Sequence, residues 1–123
     1  MKNRKLSHNY VIERMRGTGY RMTSDETDDG LAMKFTTFKR NNLELIIHYD
    51  YYSSIVKSIN VDKPPSLGSH YLIATTTHGI YEYENCVEMR IDELFDYIIS
   101  CKTTEELEMR IEMHGMKQAL ELL

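Results

Sequence analysis

The stretch MKFTTFKRNNLELIIHYDYY (residues 33–52) decides the fold. Its second half places Leu43, Leu45, Ile47, Tyr49 and Tyr51 on one face of an extended chain, with Glu44, Ile46, His48, Asp50 and Tyr52 opposite. That period of two marks a half-buried strand. In the first half, Met33, Phe35 and Thr37 alternate in the same way with Lys34, Thr36 and Phe38. Asn41-Asn42 lies between the two runs, and asparagine tolerates positive φ and bonds its own backbone. Two alternating runs around such a pair predict an antiparallel hairpin.

Downstream, Tyr52-Ser53-Ser54 reads as a turn into a third strand through Ile55, Lys57, Ile59 and Val61. Asp62 to Ser69 reads as a loop, because Pro64 and Pro65 remove two amide donors. Tyr71 to Thr77 is β-branched and aromatic, the texture of a fourth strand. After a His78-Gly79 turn, Ile80, Tyr81 and Tyr83 suggest a fifth. The last third is helical. Ile91, Leu94, Phe95, Ile98 and Ile99 keep helical spacing, and Thr103 with Glu106 fits a capping box opening a second helix from about Glu105 to the end.

Upstream of the hairpin, Ser7 can cap a helix over residues 7–16 that aligns Tyr10, Val11 and Met15, with Gly17 and Gly19 as its stop. The acidic run Ser24 to Gly30 has no apolar residue and reads as an exposed loop. The whole chain, 1–123, is therefore expected to form a single α+β domain. Its architecture is an antiparallel β-meander of four to five strands with one N-terminal helix and two C-terminal helices.

A chain of 123 residues with 41% hydrophobic and 28% charged residues can bury a core without staples. No apolar run reaches the roughly 20 residues that a membrane span needs. The basic start is not followed by the apolar core of a secretory signal. Two cysteines, Cys86 and Cys101, are few for a disulfide-stabilised secreted domain, so both are expected free and packed, in a cytoplasmic protein.

Motifs that carry chemistry fail on spacing. Gly17-Thr18-Gly19 lacks the third glycine of a dinucleotide fingerprint, since Met22 stands there, and it follows a helix instead of a strand. The five histidines, His8, His48, His70, His78 and His114, fall in separate segments without metal-ligand spacing. His48, Asp50 and Tyr52 share a strand face, but no serine or cysteine nucleophile is identifiable beside them. Thr75-Thr76-Thr77-His78-Gly79 reads as strand and turn. No catalytic, cofactor-binding or metal-ligating residue is assigned, and no cofactor is expected.

Two features point to partners. Met109, Met113, Met116, Leu120 and Leu123 are spaced 4, 3, 4, 3, which suits either the helix's own core face or a seam with another chain. Tyrosines such as Tyr49 and Tyr52 offer large contact area with a polar tip. Met109, Met113, Met116, Leu120, Tyr49 and Tyr52 are thus the candidate protein-contact residues, for a host protein or a second copy. The other feature is charge. Residues 1–22 carry Lys2, Arg4, Lys5, Arg14, Arg16 and Arg21 against Glu13 alone, a balance of +5 within a net charge of −4. Lys2, Arg4, Lys5, Arg14 and Arg16 are the candidate nucleic-acid contacts.

The leading expectation is a non-enzymatic protein-binding module, an inhibitor or adaptor acting through acidic helices or a tyrosine-rich sheet face. A small nucleic-acid-binding regulator is the alternative. The lysine-, isoleucine- and tyrosine-rich texture is similar to that of small proteins from AT-rich bacteria and their phages, a likeness of composition that covers no motif.

Overall fold

A computed structural model describes residues 5–41, 43–63, 71–76 and 90–121. The fold is α+β, with a five-stranded antiparallel meander in the order β1-β2-β3-β4-β5. Helix α1 (His8–Met15) starts at Ser7, whose hydroxyl accepts from the Tyr10 amide at 3.2 Å. Val11 and Met15, one turn apart, enter the core. Gly17 and Gly19 then take φ of +78° and +88°, which ends the helix as their freedom at positive φ allows. The Thr18 amide and hydroxyl both donate to the Met15 carbonyl.

The acidic run expected as a loop is strand β1 (Arg21–Asp28). It pairs with β2 (Met33–Arg40) from Ser24↔Thr37 to Asp28↔Met33, with an irregularity at Met22/Ser24. Among the described residues β1 has a neighbour on one side only, nearly every residue is exposed, and no apolar alternation is required. Charge on such an edge discourages pairing with foreign strands. The β1–β2 turn is held by Asp28, whose carboxylate accepts from the Leu31 amide at 3.0 Å.

The β2–β3 hairpin matches expectation. Arg40 pairs with Leu43, and Asn41 takes φ of +55°. β3 (Leu43–Tyr49) buries Leu43, Leu45, Ile47 and Tyr49. β2 buries Thr36, Phe38 and Arg40. β4 (Val56–Lys63) follows a turn over residues 51–53 and buries Val56, Ile59 and Val61. It runs two residues into the expected loop, through Asp62 and Lys63. β5 (Tyr71–Thr76) pairs with β4 and is the last of the described strands. Pro64, Pro65 and the expected fifth strand through Ile80, Tyr81 and Tyr83 lie outside the described residues.

Helices α2 (Ile91–Ser100) and α3 (Thr104–Glu121) contribute Leu94, Phe95, Ile98, Leu107 and Ile111 to one core with α1 and the inner sheet face. Thr103 caps α3 as expected. Its hydroxyl accepts from the Glu106 amide at 3.1 Å, and the Glu106 carboxylate accepts from the Lys102 amide at 3.0 Å. No helix among the described residues is long and apolar enough to cross a membrane.

Candidate functional site

Three places concentrate side chains beyond what the core requires. The first is the outer face of α3. This helix turns Thr104, Leu107 and Ile111 inward, whereas Met109 and Met113 are 61% and 58% exposed. At 3.6 residues per turn, two positions correspond to about 200° around the axis, so the methionines stand opposite the buried face. Of the two readings open to the 4-3 stripe, packing on the protein's own core does not hold for these two residues. Met116 and Leu120 belong to α3 with side chains outside the described set, as is Leu123 altogether. Tyr49 is 1% exposed, so its ring packs the core instead of presenting contact area. Tyr52, 88% exposed, stands on the β3–β4 turn, edge-on to Tyr51.

The second place is a cavity of about 590 Å³ between the α1–β1 loop and the α2–α3 junction. Arg14, Arg16, Gly17, Thr18, Cys101 and Lys102 contribute to its wall. Behind that wall lies Arg40, only 9% exposed. Its Nη1 donates to the Thr18 and Cys101 carbonyls at 3.0 and 3.2 Å, and its guanidinium stacks on the Tyr20 ring at 4.1 Å. Nε and the other Nη find no hydrogen-bond partner among the described residues. Gly19 makes room for the arginine stem, since a Cβ there would sit 3.3 Å from Arg40 Cδ. Burial pushes the neighbouring Tyr20 hydroxyl up to about 12, against the opposing pull of Arg40. Among the sequence-derived nucleic-acid contacts, Arg14 and Arg16 meet here, Lys5 is exposed, and Lys2 and Arg4 lie outside the described residues.

The third place is a cleft of about 140 Å³ where α1 meets β1 and the β3–β4 turn. His8 Nε2 lies 2.9 Å from Asp25 Oδ1, and the Thr36 hydroxyl donates to the same oxygen at 2.8 Å. Burial pushes the Asp25 carboxyl up, but the hydrogen bonds from His8 and Thr36 outweigh it and hold it below its ordinary value. Lys34 Nζ donates to Ser54 Oγ at 3.0 Å, and Ser54 takes φ of +58°. A serine–lysine pair and a histidine–aspartate pair thus face one cleft, but each is closed on itself. In a serine–histidine–aspartate triad the imidazole bridges carboxylate and hydroxyl, which the described contacts of His8 do not do. The pairs tie α1 to β1 and β2 to the β3–β4 turn.

The polar stretch around His48 divides between two tasks. Burial, with Lys57 nearby, holds the His48 imidazole below its ordinary value. Asp50 shapes the turn, accepting from the Tyr52 and Ser53 amides at 3.1 and 2.8 Å. His114 pairs with Glu93 at 3.6 Å. His70 and His78 lie outside the described residues, and no metal-binding group occurs among those described. Cys101 is buried and free, its thiol pushed up by burial and by Glu106. Cys86 lies outside the described residues.

Arg40, Lys102 and Asp25 were missed as site residues. For Arg40 a signal existed: alternation puts it on the face of Thr36 and Phe38. No protein-family model, no curated protein and no solved structure matches the chain.

Proposed function

We propose that the protein is a non-enzymatic protein-binding module of the inhibitor or adaptor type, docking a second protein chain along the methionine face of α3. The observation that carries this reading is a pair of exposed methionines, one turn apart, on the side of α3 away from the core. Leu107 and Ile111 already serve the core, while Met109 and Met113 spend their apolar surface on solvent. Methionine adapts its shape to a docking surface better than branched side chains do. A reduced cytoplasmic setting suits the free Cys101.

Sedimentation over a wide concentration range, with capture from a nuclease-treated lysate, tests the reading. The wild type is expected to self-associate or to hold a partner that Met113→Glu loses at unchanged melting temperature. A carboxylate in a desolvated seam costs several kcal/mol, but the same change at an exposed position costs the monomer little. A wild type that stays monomeric and captures nothing refutes it.

Nucleic-acid binding is the second reading, favoured by the exposure of Lys5, Arg14 and Arg16 on one end of the chain. It requires oligonucleotide affinity that falls steeply with salt, because each phosphate neutralised releases counterions. No binding at low salt eliminates it.

A further inference from the structure

We infer that the cavity between the α1–β1 loop and the α2–α3 junction is a binding site for the phosphate group of a small phosphate monoester. Its volume, about 590 Å³, lies in the range of small-molecule sites and exceeds what a bare phosphate fills. Helices α1 and α2 both end at its wall, and each C-terminus brings about half a negative charge. The Glu106 carboxylate, bound to the Lys102 amide, adds another. Arg14, Arg16 and Lys102 outweigh these, and Arg40 behind the wall adds a fourth cation. A surplus of about two positive charges remains on this count. Cations that merely complement helix ends need not be so numerous.

Arg40 is the independent observation. It is more than nine-tenths buried, and no carboxylate among the described residues pairs with it. A buried guanidinium without a counter-charge is costly to hold. Its two acceptors, the Thr18 and Cys101 carbonyls, are peptide groups of the cavity wall, so the charge sits one peptide layer from the cavity. A phosphate monoester carries nearly two negative charges at neutral pH. It matches the surplus and places a counter-charge one peptide layer from Arg40.

The test is an NMR titration of the ¹⁵N-labelled chain with inorganic phosphate, with adenosine 5′-monophosphate and, separately, with a short DNA duplex, against sodium chloride at matched ionic strength. Both phosphate probes are expected to give saturable shifts at the Gly17, Gly19 and Lys102 amides. The double variant Arg16→Gln/Lys102→Gln should weaken both at least tenfold at unchanged melting temperature, while Lys39→Gln, exposed on β2, should leave them as in the wild type. Three results overturn the inference. They are shifts no larger than those in chloride, equal affinity in the double variant, or a response confined to duplex DNA, which would transfer the basic residues to the nucleic-acid reading.

Discussion

Helices α2 and α3 contribute to the same core, but they are built on different terms. α2 turns Leu94, Phe95 and Ile98 inward and keeps Asp96 and Ser100 for solvent, so its sequence is accounted for by the monomer. α3 has a shorter described inner row, Leu107 and Ile111, and an outer row of methionines that the monomer does not use. Where apolar residues outnumber the positions a core can take, the excess is the part of the sequence that answers to something else. The methionines rather than the larger aromatic residues of α2 are therefore the place to look for a partner.

The largest expected effect would test the α2 side of this contrast. Phe95→Ala removes a fully buried ring and should cost about 3–5 kcal/mol, measured by denaturant unfolding. A loss below about 1 kcal/mol would mean that α2 is no better anchored than the outer face of α3. Next comes alkali. Burial pushes the Tyr20 and Tyr49 hydroxyls up from 10 to about 12, so the folded state holds their protons more tightly than the unfolded chain. The stability from this preference is full below pH 10 and is lost as pH rises through about 12, by up to roughly 3 kcal/mol for each tyrosine. Ultraviolet titration of phenolate should show these two groups ionising late, together with unfolding. Phenylalanine at position 49 should remove its share.

Thr103→Ala sharpens the comparison at the junction of the two helices. Loss of the cap hydroxyl should cost about 1 kcal/mol and fray the start of α3, with faster amide exchange at Glu106 than at Leu94. Equal exchange would show that α3 is held by its core contacts alone. The smallest effect belongs to Met109→Ala, expected within about 0.5 kcal/mol of wild type in the isolated monomer. A larger loss at high protein concentration only would reveal the partner as a second copy.

What was legible in the sequence follows the same division. β3 was readable because Leu43, Leu45, Ile47 and Tyr49 must all face the core, and a strand with neighbours on both sides states its period openly. β1 was not, because this strand is held by backbone pairing and by polar contacts, and the partners that place Asp25, which are His8 and Thr36, lie 17 and 11 positions away. Ser7 and Thr103 announced their helices because capping is local, decided within three residues. Arg40 was legible only in its face, which it shares with Thr36 and Phe38, and not in its partners, for the opposite reason. Its acceptors lie 22 and 61 positions away, and an arginine looks solvated until the fold brings those carbonyls to it. In α3, the regular methionine stripe drew the eye, while the two residues that hold the helix in place, Leu107 and Ile111, lie off it.

The strand order has a consequence for how the molecule reaches its structure. Each strand pairs with the next one in the chain, so the sheet can grow by closing successive hairpins, the cheapest loops to close. The helices α2 and α3 follow the sheet in the chain and cover Leu45, Ile47 and Ile59 only after it has formed. During synthesis the meander therefore stands with the part of its apolar face that α1 does not cover still bare, for the several seconds that translating the remaining helices requires. That interval makes the inner sheet face a natural binding place for a chaperone. It also means that slowing translation after β5 should lower soluble yield more than the same delay placed before β3.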